Sequence, residues 1–287
     1  MISNEIEFHA PATLGEALGL LADDGDDVTV LSGGMSLVPM MNLGIVRPTK
    51  VLSLNKVREL AHVTERDGQL VVGALVRHAE VAANPLIRRH CPVLASAAEV
   101  IGDIQVRNRG TIGGSVAHAD PAADYLPVLA ALGGSVTLAS SAGERTLTPA
   151  EFFVDLMFTS REPEEIVTAV SVPKLAAGWR SAYTRLARVE GSFAIVNAAA
   201  VVAGDHSSAT VGLGGVGPSP VVVDVTEQLR DGADEAGLAA VGAVVREAAR
   251  DASGDLMSDA TYRREMAAVF ARRACAAATA TQAEVRS

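Results

Sequence analysis

Val30-Leu31-Ser32-Gly33-Gly34-Met35-Ser36-Leu37 sets paired glycines directly after a short apolar run, residues 28–31, that has the character of a buried strand. Consecutive glycines accept positive φ and place no Cβ in the way, so successive N–H groups can converge on an anion. Taken alone, such a pair between a strand and a helix is most often a tight turn. A second glycine segment, Thr111-Ile112-Gly113-Gly114-Ser115, follows the polar residues 105–110. Two loops of this kind facing each other would hold a diphosphate between them. Neither matches G-x-G-x-x-G and neither carries the Lys of a Walker A loop, which disfavours a Rossmann dinucleotide site and a P-loop.

Working outward from the loops, Thr13 and Glu16 have capping-box spacing, and Leu14, Ala17, Leu18 and Leu21 share one helical face, so a helix is expected to end near Gly25. Residues 37–41 suit a helical turn, and 51–54 and 70–76 read as strands. Residues 78–101 take helical spacing broken at Asn84-Pro85 and Cys91-Pro92. Asp120-Pro121 carries the signature of a helix start, predicting a helix to about residue 132. Residues 136–139 and 166–172 read as strands, and Thr148-Pro149-Ala150-Glu151 as a capped helix start. After Pro173 the composition changes: 179–188, 193–203 and 209–216 form a meander of strands, with a turn at Glu190-Gly191, followed by helices at about 233–250 and 259–281. The expected division is 1–176 and 177–287.

Composition excludes whole classes. The chain has 287 residues, 49% of them hydrophobic, enough for a large core. Its 24 Lys and Arg against 34 Asp and Glu leave a net charge of -10, the wrong sign for a nucleic-acid binder. The longest nearly apolar run is about twelve residues, short of the roughly 20 of a membrane span. The N-terminal residues lack the basic and apolar regions of a signal peptide, and a cytoplasmic protein is expected. Cys91 and Cys275 stand far apart without a CxxC or Cys/His cluster, so this chain supplies neither an iron–sulfur site nor a structural zinc. No metal site and no catalytic acid/base dyad is assigned.

The two glycine segments in combination, with Arg47-Pro48, Gln105-Val106-Arg107-Asn108-Arg109-Gly110 and Ala119-Asp120-Pro121-Ala122-Ala123-Asp124, resemble the FAD-binding medium subunit of the molybdenum hydroxylases, the family of the carbon monoxide dehydrogenase and xanthine dehydrogenase types. The resemblance extends over essentially the whole chain. It implies an α+β fold, with a two-part FAD-binding domain like that of the vanillyl-alcohol-oxidase group followed by a smaller domain of antiparallel sheet plus helices. It implies FAD contacts at Leu31, Ser32, Gly33, Gly34, Met35, Ser36 and Leu37 in the first loop and at Thr111, Ile112, Gly113, Gly114 and Ser115 in the second. Asp124, Ile101, Val167 and Arg185 match further cofactor positions, and Phe193 falls where related members carry a Tyr near the flavin ring. Met35 and Ser115 depart from the family's common Gln or His and Asn, so side-chain contacts differ there.

Each of these residues has a plainer reading. Asp124 is favoured by a helix dipole whatever the ligand; Phe193 suits an ordinary core; Arg107 and Arg109 suit a solvated surface; His118 suits a hydrogen-bonded spacer. The resemblance further implies that the chain passes electrons from [2Fe-2S] clusters of a small subunit through FAD to an external acceptor. A large molybdopterin subunit would oxidise the substrate, in a dimer of heterotrimers. Two rivals are a stand-alone FAD-dependent oxidoreductase of the same fold and an assembly protein that has lost FAD. The substrate and the acceptor are not encoded in a readable way.

Overall fold

A computed structural model describes residues 5–280. The chain opens with strand β1 (Glu7–His9), helix α1 (Leu14–Asp24), strand β2 (Val28–Leu31), helix α2 (Leu37–Asn42) and strand β3 (Lys50–Ser53). β3 lies between β1 and β2, all parallel. Thr13 Oγ1 caps α1 by accepting from Glu16 N at 3.2 Å, while the Glu16 carboxylate reaches past the cap to Ala12 N. Ala17 and Leu21 of α1 pack on Leu52, Leu54 and Ile166 in a small core.

A five-stranded antiparallel sheet follows, built from β4 (Val63–Arg66), β5 (Gln69–Gly73), β6 (Ser135–Ser140), β7 (Gly143–Leu147) and, after the small hairpin β8 (Phe153–Asp155) and β9 (Phe158–Thr159), from β10 (Ile166–Pro173). Their order is β4-β5-β10-β6-β7, with β10 in the middle. The helices of this half are α3 (His78–Ala83), α4 (Pro85–His90), α5 (Pro92–Glu99), α6 (Ile104–Arg109), α7 (Ile112–His118), α8 (Tyr125–Leu132) and α9 (Pro149–Phe152). The breaks expected at Asn84-Pro85 and Cys91-Pro92 separate α3, α4 and α5. Residues 105–110, expected as a polar connection, are mostly helix, because the Asp103 carboxylate accepts from Val106 N at 2.8 Å and starts α6.

The last third is a meander, β11 (Arg180–Leu186), β12 (Val196–Val202), β13 (Ala209–Gly214) and β14 (Val221–Asp224), then α10 (Thr226–Leu229), α11 (Glu235–Ala248) and α12 (Ala260–Thr279). The helix expected at 259–281 thus ends at Thr279, and residue 281 lies outside the described residues. All seven residues of β12 are buried. Successive side chains of a strand point to opposite faces, and here Ala199 and Val201 join the core under α5 and α8, while Ala198, Ala200 and Val202 join the core under α11 and α12. Alanines in this strand let helices close on both faces.

The helix expected to begin at Asp120 begins instead at Tyr125. A helix from Pro121 would need the carbonyls of residues 121–123 as internal acceptors. The Pro121 carbonyl accepts from Gly215 N at 2.9 Å, and those of Ala122 and Ala123 accept from Asn197 Nδ2 at 3.2 and 3.5 Å. The neighbouring sheet has taken the acceptors, and Asp120 Oδ1 turns back to Ala122 N at 2.9 Å.

Candidate functional site: a cleft between two glycine segments

β2 and β3 run parallel, and the first glycine segment lies at the carboxyl end of β2, where open α/β sheets bind ligands. Gly34 has φ of 76°, as the turn requires. Gly33 serves a different need: a Cβ there would lie 2.3 Å from the Arg109 carbonyl oxygen and 2.7 Å from Gly110 Cα. Among the described residues, the N–H groups of Gly33, Gly34, Met35 and Ser36 find no acceptor within the chain. Four successive unpaired donors in a segment that lines one cleft are the makings of an anion nest.

The second segment is built otherwise. Thr111 caps α7, its Oγ1 accepting from Gly114 N at 3.1 Å. Ile112 N donates to the Val76 carbonyl at 3.1 Å, Gly113 N to that of Ala74 at 3.0 Å, and Ser115 N to that of Thr111 at 3.0 Å. A second nest facing the first, as read from the glycines, is therefore not what the fold makes: these donors are already paired, and Gly113 is there for close packing. Its Cβ would lie 2.3 Å from the Ala74 Cβ.

The two segments are tied across the cleft. Ser32 Oγ and Thr111 Oγ1 share a hydrogen bond of 2.7 Å. Asn55 Nδ2 donates to the Ser32 carbonyl at 3.2 Å; Arg77 Nη2 donates to Asn55 Oδ1 at 3.0 Å, and its Nη1 to the Arg109 carbonyl. Burial first, and then the neighbouring Arg109, lowers the Arg77 pKa from its ordinary value.

Between the segments lies a cavity of about 490 Å³, within the range of about 300–1,000 Å³ usual for cofactor clefts. Leu31, Ser32, Gly33, Gly34, Met35, Ser36 and Leu37 line it, as do Thr111, Gly113, Gly114, Ser115, Ile101, Val167, Asp124 and Phe193. Two expected contacts lie elsewhere. Ile112 is fully buried in the core behind α7, and Arg185 stands behind the wall with its side chain 12% exposed. Phe193 is 58% exposed at the rim, so it is no core residue. Of the plainer readings, a solvated charge holds for Arg109, which is exposed, whereas Arg107 donates from Nη1 to the carbonyls of Ile101 and Gly102 at 3.0 and 2.9 Å.

Asp124 sits at the start of α8 but makes no capping bond. Its buried carboxylate accepts from the Tyr183 hydroxyl at 2.5 Å and lies 3.3 Å from Arg185 Nη1. Burial pushes the carboxyl above its ordinary range, against the opposing pull of Arg185 and Tyr183.

Several further lining residues were not expected as cofactor contacts. His118 and Asp120 follow the second segment on the cavity wall. Arg161 and Glu165 line it before β10; Arg145 Nε and Nη2 grip the Glu165 carboxylate at 2.6 and 2.8 Å, and Arg161 Nη1 donates to the Glu162 and Glu165 carbonyls, each at 2.8 Å. Isolated charges in a loop before a strand carry no one-dimensional signal. His78 also lines the cavity, with its Nδ1 2.9 Å from the Tyr125 hydroxyl.

The donor nest, the apolar walls at Leu31, Ile101 and Val167, and the size of the cleft fit a flavin dinucleotide. Residues 4–175 match the family described as FAD binding domain in molybdopterin dehydrogenase, and residues 181–278 match the CO dehydrogenase flavoprotein C-terminal domain. The chain belongs to the FAD-binding medium subunits of the molybdenum hydroxylases. This medium subunit is 34% identical over 286 residues to the carbon monoxide dehydrogenase medium chain of Hydrogenophaga pseudoflava, covering 98% of this chain and 99% of that one. It is 42% identical over 190 residues to the 6-hydroxypseudooxynicotine dehydrogenase complex subunit alpha of Paenarthrobacter nicotinovorans, covering 66% and 64% of the two chains. Among solved structures, carbon monoxide dehydrogenase from Hydrogenophaga pseudoflava, in a form lacking the Mo-pyranopterin moiety of the molybdenum cofactor, superposes with a TM-score of 0.89 at 33% identity, covering 97% and 98% of the chains. The medium subunit is thus an FAD-binding oxidoreductase component, and among the described residues it has no helix long and apolar enough to cross a membrane.

Proposed function

We propose that this chain is the electron-transfer flavoprotein of a cytoplasmic molybdenum hydroxylase, holding FAD between the [2Fe-2S] clusters of a small subunit and an external acceptor. A large molybdopterin subunit oxidises the substrate, and the complex is a dimer of heterotrimers. The observation that carries the reading is the row of free N–H donors at Gly33, Gly34, Met35 and Ser36, lying against the second glycine segment. In this reading those donors hold the diphosphate, Ile101, Val167 and Phe193 flank the rest of the cofactor, and Asp124 meets it through its carboxylate. FAD, when bound, exchanges electrons singly or in pairs and so joins one-electron carriers to two-electron acceptors.

The need for partners follows from what the chain's own cysteines can do. Cys91 and Cys275 are both buried, and burial pushes each thiol up to about 12, far from the thiolate a cluster requires. We take 1–176 as the FAD-binding part and 177–287 as the C-terminal part. The purified chain is expected to yield one FAD on extraction and a flavin absorption spectrum. Gly33→Ala, which drives a Cβ into Arg109 and Gly110, is expected to weaken FAD retention by about tenfold or more. A wild-type chain without flavin, and unable to take it up, would overturn the reading.

A further inference from the structure

Two residues that do not line the cavity hold three pieces of its wall together. Tyr183 and Arg185 are two apart on β11, so their side chains leave the same face of the strand. Both reach Asp124 Oδ1: the Tyr183 hydroxyl donates to it at 2.5 Å, and Arg185 Nη1 lies 3.3 Å away. Arg185 also donates to the Val100 carbonyl at 2.7 Å and to the Ser192 carbonyl. Val100 precedes Ile101 and Gly102 on the cavity wall, and Ser192 lies between Gly191 and Phe193, which line the cavity beside Gly102. The planar guanidinium fork suits several acceptors at once in a way that a lysine ammonium does not. From β12, Asn197 fixes the Ala122 and Ala123 carbonyls just ahead of Asp124. A buried carboxylate that caps no helix needs such partners to be tolerated.

We propose that Tyr183 and Arg185 are positioning residues of the FAD site, supplied by the C-terminal sheet. They set the Asp124 carboxylate toward the cavity and hold the walls at 100–102 and 191–193 in register. The FAD pocket is thereby completed by residues outside the FAD-binding part of the chain. This rests on reading the cavity as the FAD site.

The test uses the full chain as wild type, Y183F, R185K, D124N and Y183F/D124N, each stripped of flavin. FAD affinity is measured by fluorescence titration, the bound flavin's midpoint potential by spectroelectrochemistry, and the thermal midpoint of the flavin-free chain by circular dichroism. Y183F is expected to weaken FAD binding by about tenfold, the scale of one lost hydrogen bond to a charged group. It is expected to shift the flavin potential in the same direction as D124N. The double variant binds no more weakly than D124N alone, because both substitutions remove one interaction. R185K, which keeps the charge and loses the fork, weakens binding as well. The positioning role is overturned if Y183F and R185K lower the thermal midpoint yet bind FAD with wild-type affinity and potential, or if the effects of Y183F and D124N simply add. A wild-type chain that takes up no FAD overturns the functional reading instead, and the proposal with it.

Discussion

His78 shows how one residue of the site is tuned by its surroundings. Burial first, then the charges of Arg77 and Arg107, lowers its pKa from 6.5 to about 4. Its Nδ1 lies against the Tyr125 hydroxyl, and a Cβ on Gly110 would lie 2.5 Å from its Nε2, so the ring is closely packed on that side. A group with a depressed folded-state pKa adds stability above its unfolded value, and that stability is lost as pH falls through the folded value. Here the window runs from 6.5 down to about 4, and the shift corresponds to about 3 kcal/mol. Urea unfolding across this window is expected to show His78→Gln losing less stability than wild type by roughly that amount. Parallel curves would assign the acid sensitivity to other groups. The glycines of the two segments were legible in the sequence because glycine's missing Cβ is a one-dimensional fact. Their separate tasks were not: Gly34 answers to a backbone angle, Gly33 to Arg109, and Gly113 to Ala74, and the last two needs exist only once distant segments meet.

At the scale of elements, α12 is held to the meander by a buried cation. Arg263, 5% exposed, donates from Nη1 to the carbonyls of Ile195 and Gly215 at 2.6 and 2.8 Å, and from Nη2 to Asp255 at 2.6 Å. Arg263→Met preserves much of the apolar stem but leaves both carbonyls without a donor in a dry site. The cost expected in urea unfolding is about 2–5 kcal/mol, since each unpaired buried group costs about 1–3 kcal/mol. A loss below about 0.5 kcal/mol, the ordinary scale of a surface change, would mean that water replaces the guanidinium. Elements whose apolar pattern reflects burial were readable: α1, the three helices between His78 and Glu99, β10 and, as a continuous apolar run, β12. The edge strands β4 and β7 were not, because VTER and GERTL are mostly exposed and carry no alternation. The strong helix signal at Asp120-Pro121 failed because Gly215 and Asn197 occupy the carbonyls a helix would use. Local preference yields where tertiary partners claim the same backbone atoms.

For the molecule as a whole, the boundary proposed at 176 divides the path of the chain and not its core. All eight residues of α8 are buried, and one side of that burial comes from the meander: a Cβ on Gly212 of β13 would lie 2.0 Å from the Pro127 carbonyl oxygen. Ala199 and Val201 of β12 belong to the same cluster as Leu126 and Leu129. A fragment comprising residues 1–176 would therefore expose an apolar helix face and also lose the partners of Asp124. Exposed surface of that kind, with its packing removed, marks loosely packed compact states. The fragment is expected to retain helical circular dichroism, to bind the dye ANS, to lack a cooperative thermal transition and to take up no FAD. The full chain is expected to unfold in one transition that added FAD moves upward, because a ligand stabilises whatever cooperative unit contains its site. A fragment that unfolds sharply on its own and binds FAD with the affinity of the full chain would show that the C-terminal sheet is an appendage. The carbonyl contacts at Pro121, Ala122 and Ala123 point the other way: the sheet shapes the segment that carries Asp124, so folding of the last third and retention of the cofactor are expected to stand or fall together.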